Sequence, residues 1–181
     1  MPKLFVAIDL PDSVTAELVR IQPAPLDGIR LAAPDQMHLT LHFIGESSID
    51  RLAAALATVR FPEFSLAIEG VGQFPSANSA VILWAGVKRT AELLALHESV
   101  AQALARIGFQ SEERQYNPHV TIARCECGIA TQVIDDFVNK NASFSVRRVQ
   151  VARFGLFSSK LIAGVPRYQC ERFFELSASK Q

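Results

Sequence analysis

A four-residue pattern occurs twice in this chain: His38-Leu39-Thr40-Leu41 and His119-Val120-Thr121-Ile122. On a β-strand, successive side chains alternate between faces. Each copy then turns a histidine and a threonine to one side and two aliphatic residues into a core. A histidine in an apolar strand is ordinarily a hydrogen-bonded structural residue. Recurrence makes that reading insufficient. The copies lie about eighty residues apart in a chain of 181, each behind a proline-bearing loop, Pro34-Asp35-Gln36-Met37 and Asn117-Pro118. Two strands from distant parts of one chain are thus expected to present two imidazoles and two hydroxyls to one cleft. That inventory suits a phosphodiester and needs no metal.

The length fits one domain or two small lobes, and 49% hydrophobic residues supply a sizeable core. No apolar run reaches transmembrane length. The segment Lys3–Asp9 reads as a first strand and not as a secretory signal. Three cysteines, Cys125, Cys127 and Cys170, lack framework spacing and suggest free thiols in a reducing cytoplasm. A zinc site from Cys125, Cys127 and His119 has only a lone Cys-x-Cys behind it, so no metal is expected.

The formal net charge is zero, which argues against coating long nucleic acid by charge alone. Thirteen arginines stand against five lysines, and arginine is the better phosphate fork. Arg114, Arg124, Arg147, Arg148 and Arg153 lie in or after the region of the second motif; most are expected on solvated surface.

Strand periodicity predicts strands at Lys3–Asp9, Met37–Ile44 and Val120–Arg124, a pair at Phe64–Val71 and Ala80–Val87, and two long final strands at Phe144–Phe157 and Tyr168–Leu176. The turn between the paired strands is placed over Gly72, Pro75, Ser76 and Asn78. Helices are expected from Pro11-Asp12-Ser13 to Ile21, over Ile49–Val59 behind Ser47-Ser48, from Thr90 to Gly108, and over Thr131–Val138. Gln22 to Gly28 reads as a loop, and His97, beside the apolar stripe of the third helix, as structural or exposed. Short turns between several strands favour an α+β fold with mixed or antiparallel sheets.

Hydrolysis of a 2′,3′-cyclic phosphate needs a base for water and an acid for the departing ribose oxygen, on opposite sides of phosphorus. One histidine from each motif meets that need, because imidazole titrates near neutrality. A pH–rate bell with flanks near 6 to 7 follows from ordinary histidines. Threonine hydroxyls can donate to the non-bridging oxygens. His38 and His42 have zincin spacing but lack the glutamate and the helix. No glycine-rich phosphate loop indicates ATP dependence.

The chain resembles the two-histidine (2H) phosphoesterases, and most closely the bacterial and archaeal RNA 2′,3′-cyclic phosphodiesterases, also called 2′-5′ RNA ligases. Besides the paired motifs, the resemblance runs through Leu4-Phe5-Val6-Ala7-Ile8-Asp9-Leu10-Pro11, His42-Phe43-Ile44-Gly45-Glu46, Gly72-Gln73-Phe74-Pro75, Leu83-Trp84-Ala85-Gly86-Val87, Leu94-Ala95-Leu96-His97, Pro118, Ala123-Arg124, Phe157-Ser158-Ser159-Lys160-Leu161 and Pro166-Arg167-Tyr168. It implies one domain over 1–181, built of two intertwined, pseudo-symmetric lobes around a central cleft. It implies hydrolysis of RNA 2′,3′-cyclic phosphate ends to 2′-phosphates, with His38 as general acid for O3′, His119 as general base for water, and Thr40 and Thr121 holding the phosphate. It further implies no cofactor, and reversible ATP-independent 2′-5′ joining of tRNA halves. Substrate binding is assigned to His42, Arg124 and Tyr116. Strict alternation puts His42 on the face of His38 and turns Arg124 away from His119, so Arg124 needs the strand to end or twist. The family often has an aromatic residue where this chain has Leu31-Ala32-Ala33. The expected protein is a cytoplasmic monomer acting on RNA or a cyclic nucleotide. A 2H enzyme for another small substrate and a non-catalytic RNA-end binder remain open alternatives.

Overall fold

The computed structural model describes residues 3–76, 80–110, 115–162 and 165–178; Asn78 and Arg114 lie outside them. The described elements are β1 (Lys3–Asp9), α1 (Asp12–Arg20), β2 (Ile29–Leu31), a 3₁₀ turn (Pro34–Gln36), β3 (His38–Glu46), α2 (Ile49–Leu56), β4 (Phe64–Pro75), β5 (Val81–Val87), α3 (Ala91–Ala105), β6 (His119–Cys125), α4 (Thr131–Lys140), β7 (Ser145–Val151), β8 (Arg153–Ile162) and β9 (Val165–Glu175). Local chemistry explains the helix limits. Ser48 and Thr90 side chains accept from the third residue of α2 and α3 respectively. Beyond α3, Gly108 takes a left-handed φ of 85° that stops the chain from continuing as helix.

The strands run in the order β7-β4-β5-β6-β3-β1-β8-β9, with β2 beside β6, and pair antiparallel throughout. The fold is α+β and pseudo-symmetric: β6, β5, β4 and β7 in one half correspond to β3, β1, β8 and β9 in the other. Helices α2 and α3 pack on β9 and β3, while α1 and α4 pack on β7 and β4. So α1 and α3 each leave a strand of one half and pack against the other half.

The two halves meet at one paired position, Leu39 opposite Val120, both fully buried. Both aliphatic residues of each motif face the core as expected: Leu39, Leu41, Val120 and Ile122 are all buried. The same core takes the stripe of α3 (Leu93, Leu96, Val100, Leu104) and Phe154 and Leu156 of β8.

Three expectations are corrected. The segment Phe144–Phe157 is two strands, because the chain passes from β7 to β8 at Ala152, whose carbonyl accepts from Leu176 N–H at 2.8 Å. Since β7 ends the strand order and β8 lies in the other half, the sheet must curl to bring them together. Strand β4 runs through Gly72 to Pro75, where a turn was expected to begin. Gly72 pairs with Trp84, and a Cβ there would come within 2.4 Å of the indole ring, so the glycine is what lets Trp84 lie across the strand. Strand β2 follows the predicted Gln22–Gly28 loop; three residues are too few to carry a periodicity.

Leu39→Ala is expected to cost about 2–5 kcal/mol, the usual range for emptying a fully buried leucine site. Denaturant unfolding measures it; a loss under 1 kcal/mol would show that the junction between the halves is not held by this packing.

Candidate active site

The two motifs open onto a single cleft of about 830 Å³. His38, Thr40, His119, Thr121, His42, Arg124 and Tyr116, the catalytic and substrate-binding candidates from the sequence, line it, and His97 joins them.

The two catalytic candidates are mounted alike. His38 Nδ1 lies 2.7 Å from the Gln36 carbonyl, and His119 Nδ1 lies 2.7 Å from the Asn117 carbonyl. A carbonyl only accepts, so each Nδ1 carries a proton and donates it. In the neutral ring, Nε2 is then the basic nitrogen. The chain two residues ahead of each histidine thus fixes its tautomer, the proline-bearing loops supplying the carbonyls. Aromatic rings hold each imidazole in place. Phe5 lies 4.8 Å from His38 and Tyr168 meets it edge-on at 5.1 Å. Phe74 meets His119 edge-on at 4.9 Å, and Trp84 lies 6.3 Å away. These aromatic supports went unread from sequence. In β1 the run Leu4–Ile8 is apolar throughout, which hides that Phe5 shares the face of Asp9 and packs against His38.

Burial pushes the His38 imidazole down to about 4. The bond to Gln36 opposes this, and the charges of His119 and Arg124 push further down. His119 is lowered for the same leading reason, burial, again opposed by its carbonyl bond and assisted by Arg124. Both histidines therefore rest neutral at pH 7, and the expected flanks at ordinary histidine values do not hold for the empty cleft. An anion between them opposes this shift, because negative charge favours each imidazolium.

Two bulges decide what else faces the cleft. In β3, Ala7 pairs with Thr40 but Val6 with His42, so Leu41 is the extra residue. In β6, Trp84 pairs with Thr121 but Leu83 with Ala123, so Ile122 is the extra residue. A bulge shifts the alternation by one. Arg124 therefore returns to the face of His119 and Thr121, meeting the condition that its assignment required. For His42 the effect is opposite, and the alternation argument fails. It pairs with Val6 on the core side, is only 8% exposed, and donates Nε2–H to the His97 carbonyl at 2.9 Å. Phe43 takes the cleft face instead, opposite Phe5.

The His97 ring stacks between two others, 4.1 Å from His42 and 4.0 Å from Tyr116, in the column His42–His97–Tyr116. His97 is thus part of the cleft wall, beyond the structural or exposed reading, and burial holds its pKa at about 4. The Tyr116 hydroxyl, kept protonated by burial, donates to the Thr40 carbonyl at 3.0 Å. Tyr116 thereby ties the segment before the second motif to the first motif strand.

Arg124 makes no ion pair among the described residues, whereas Arg30 approaches Glu126 at 4.0 Å. Among the described residues no three His, Cys, Asp or Glu side chains gather as a metal site. No described helix is long and apolar enough to cross a membrane.

Residues 10–156 match the model of a family described as the 2′-5′ RNA ligase superfamily. A protein of Archaeoglobus fulgidus named RNA 2′,3′-cyclic phosphodiesterase is 33% identical over 178 residues, 96% of this chain and 99% of its own. One of the same name from Thermotoga maritima is 32% identical, covering 92% of this chain and 91% of its own. Among solved structures, Escherichia coli LigT complexed with 3′-AMP superposes with a TM-score of 0.75 at 26% identity, over 97% of this chain and 98% of that one.

Trp84 is the sole tryptophan and neighbours His119. Its emission is expected to be quenched as His119 gains a proton, because imidazolium quenches indole. With a lowered pKa, that quenching sets in as pH falls below 6.5, not above it. His119→Ala should abolish the titration in a fluorescence–pH series.

Proposed function

The chain belongs to the 2′-5′ RNA ligase superfamily, and on that premise we propose that it opens RNA 2′,3′-cyclic phosphate ends to 2′-phosphates. The observation that carries this reading is the matched pair of imidazoles, each with Nδ1 committed to a backbone carbonyl and Nε2 left to work in one cleft. His119 Nε2 takes a proton from water as the oxygen bonds to phosphorus. The P–O3′ bond breaks, and His38 Nε2–H gives its proton to O3′. Thr40 and Thr121 hydroxyls and the Arg124 guanidinium bind the non-bridging oxygens, where charge accumulates. The phosphate stays on O2′. Neither ATP nor a metal enters the balance.

With an RNA 5′-hydroxyl in the place of water, the same steps form a 2′-5′ link, and tRNA halves are the candidate pair. Three unpaired cysteines support a cytoplasmic site of action. The enzyme is proposed to act as a monomer, which light scattering checks.

The deciding experiment incubates the protein with an RNA ending in a 2′,3′-cyclic phosphate, with chelator present, and locates the product phosphate. A 2′-phosphate is expected; a 3′-phosphate, or activity lost to chelation and restored by one divalent ion, would refute the mechanism. Each of His38→Ala and His119→Ala should lower the rate by at least about 10², and the double variant by less than the product of the two. A nitrophenyl ester, whose leaving group needs no proton, should rescue the His38 variant and not the His119 variant. Rescue of the other would show the roles reversed.

The pH dependence follows from burial. The kcat/KM profile reports the free enzyme, where His38 must hold a proton at a pKa of about 4. Its alkaline limb should therefore fall well below pH 6.5. The bound anionic substrate raises His38, so the alkaline limb of kcat should lie at higher pH than that of kcat/KM. Coincident limbs near 6.5 would refute the assignment.

A further inference from the structure

The arm of His119 ends in a basic face outside the catalytic group. In β5, Leu83, Ala85 and Val87 are buried, so Trp84, Gly86 and then Lys88 take the cleft side. Lys88 N–H donates to the Ala67 carbonyl at 2.8 Å, which sets Lys88 beside Ala67. Leu66 and Ile68 on either side of Ala67 are buried, so Ala67 faces the same way. Leu66 pairs with Val149 and Ile68 with Val146, and Ala67 alone therefore stands opposite two residues, Arg147 and Arg148. Val146 and Val149 pack on the core, while both arginines are exposed. The bulge thus turns two consecutive cations to the face of His119. Arg148 takes a φ of 59°, a conformation that residues with a Cβ disfavour, and strain of this kind clusters at functional sites. Neither arginine makes an ion pair among the described residues, and Lys88 approaches Glu69 only at 3.8 Å. On the other arm Arg153 is engaged, by Asp9 at 2.7 Å and by the Phe173 ring at 3.8 Å.

We infer that Lys88, Arg147 and Arg148 hold the backbone phosphates of the RNA strand that brings the 5′-hydroxyl to the joining reaction. The inference rests on the reading above, in which that hydroxyl takes the place of water beside His119. An oxygen attacking from the His119 side has the rest of its strand behind it, over β5, β4 and β7. Strand β7 lies three strands from β6, about 14 Å across the sheet at the usual strand spacing, which a few nucleotides span. Exposed guanidinium groups fit phosphate oxygens, and contacts to the backbone position a strand without reading its sequence. Water and a lone nucleoside reach none of the three cations. The face therefore bears on joining and not on hydrolysis.

The test joins a short RNA ending in a 2′,3′-cyclic phosphate to 5′-hydroxyl acceptors of increasing length: adenosine, a tetranucleotide and an octanucleotide. For the wild type, kcat/KM for the acceptor should rise with length. The double variant Arg147→Ala with Arg148→Gly keeps a residue suited to the left-handed φ. It should lose about twofold to thirtyfold on the longer acceptors at low salt, the worth of two exposed charge contacts, and the loss should fall on acceptor KM. The slope of log KM against log salt should flatten by about 0.7 for each phosphate contact removed. Joining to adenosine, KM for the cyclic-phosphate strand and hydrolysis of adenosine 2′,3′-cyclic phosphate should keep wild-type values. A loss on the cyclic-phosphate strand instead would put the other RNA on this face and overturn the inference. Unchanged joining would overturn it too; self-association of the variant in light scattering would then show arginines that guard the edge of β7. A wild type that hydrolyses the cyclic nucleotide but joins no acceptor would overturn the inference alone, and one that does neither would overturn both readings.

Discussion

The meeting of β3 and β6 at Leu39 and Val120 is the constraint on which the site depends. Each motif supplies one aliphatic residue to this pair and flanks it with a histidine and a threonine on the opposite face. An antiparallel pair carries a local two-fold axis between its members. The axis that relates the two halves therefore passes through the place where the motifs touch. Packing at this point sets the mutual position of four polar groups that lie some eighty residues apart in sequence. Beyond the single pair, the Tyr116 side chain reaches the Thr40 carbonyl and ties the segment before β6 to β3.

The bulges then break the equivalence of the halves. Without them, Arg124 would face the core, which a guanidinium can enter only at a large desolvation cost. With them, one cleft arm gains a cation and the other an exposed ring, while Ala123 and His42 take the paired core positions. An alanine fills its position without further need. The imidazole at the other is satisfied through the His97 carbonyl and the column of rings ending in Tyr116.

Burial lowers the pKa of His38 and of His119, and backbone carbonyls give them a fixed tautomer. In the proposed reaction these act together: a neutral ring with Nδ1–H donated offers Nε2 as a base, and an entering phosphodiester supplies the negative charge that lets the partner become an acid. On that reading the empty and the substrate-filled cleft differ in protonation state, and the substrate's own charge drives the change.

Much of this was written in the chain. The duplicated motif, its alternation and its proline-bearing flanks determined that two strands carry His38, Thr40, His119 and Thr121 on one face and their aliphatic neighbours in a core, because the two-residue period of a strand is a local property. The helices were legible from their caps and apolar stripes, and the α+β class from the order of elements. Tertiary structure decided the rest. Strict alternation could not anticipate an extra residue at Leu41 or Ile122, because a bulge is defined by the partner strand and not by the bulged one. So the facing of His42, Phe43 and Arg124 emerged only with the pairing of β3 on β1 and β6 on β5. The break at Ala152 was hidden for the same reason: β7 and β8 are both strand-like, and only their separate partners, β4 and β1, show that the chain changes sides between them.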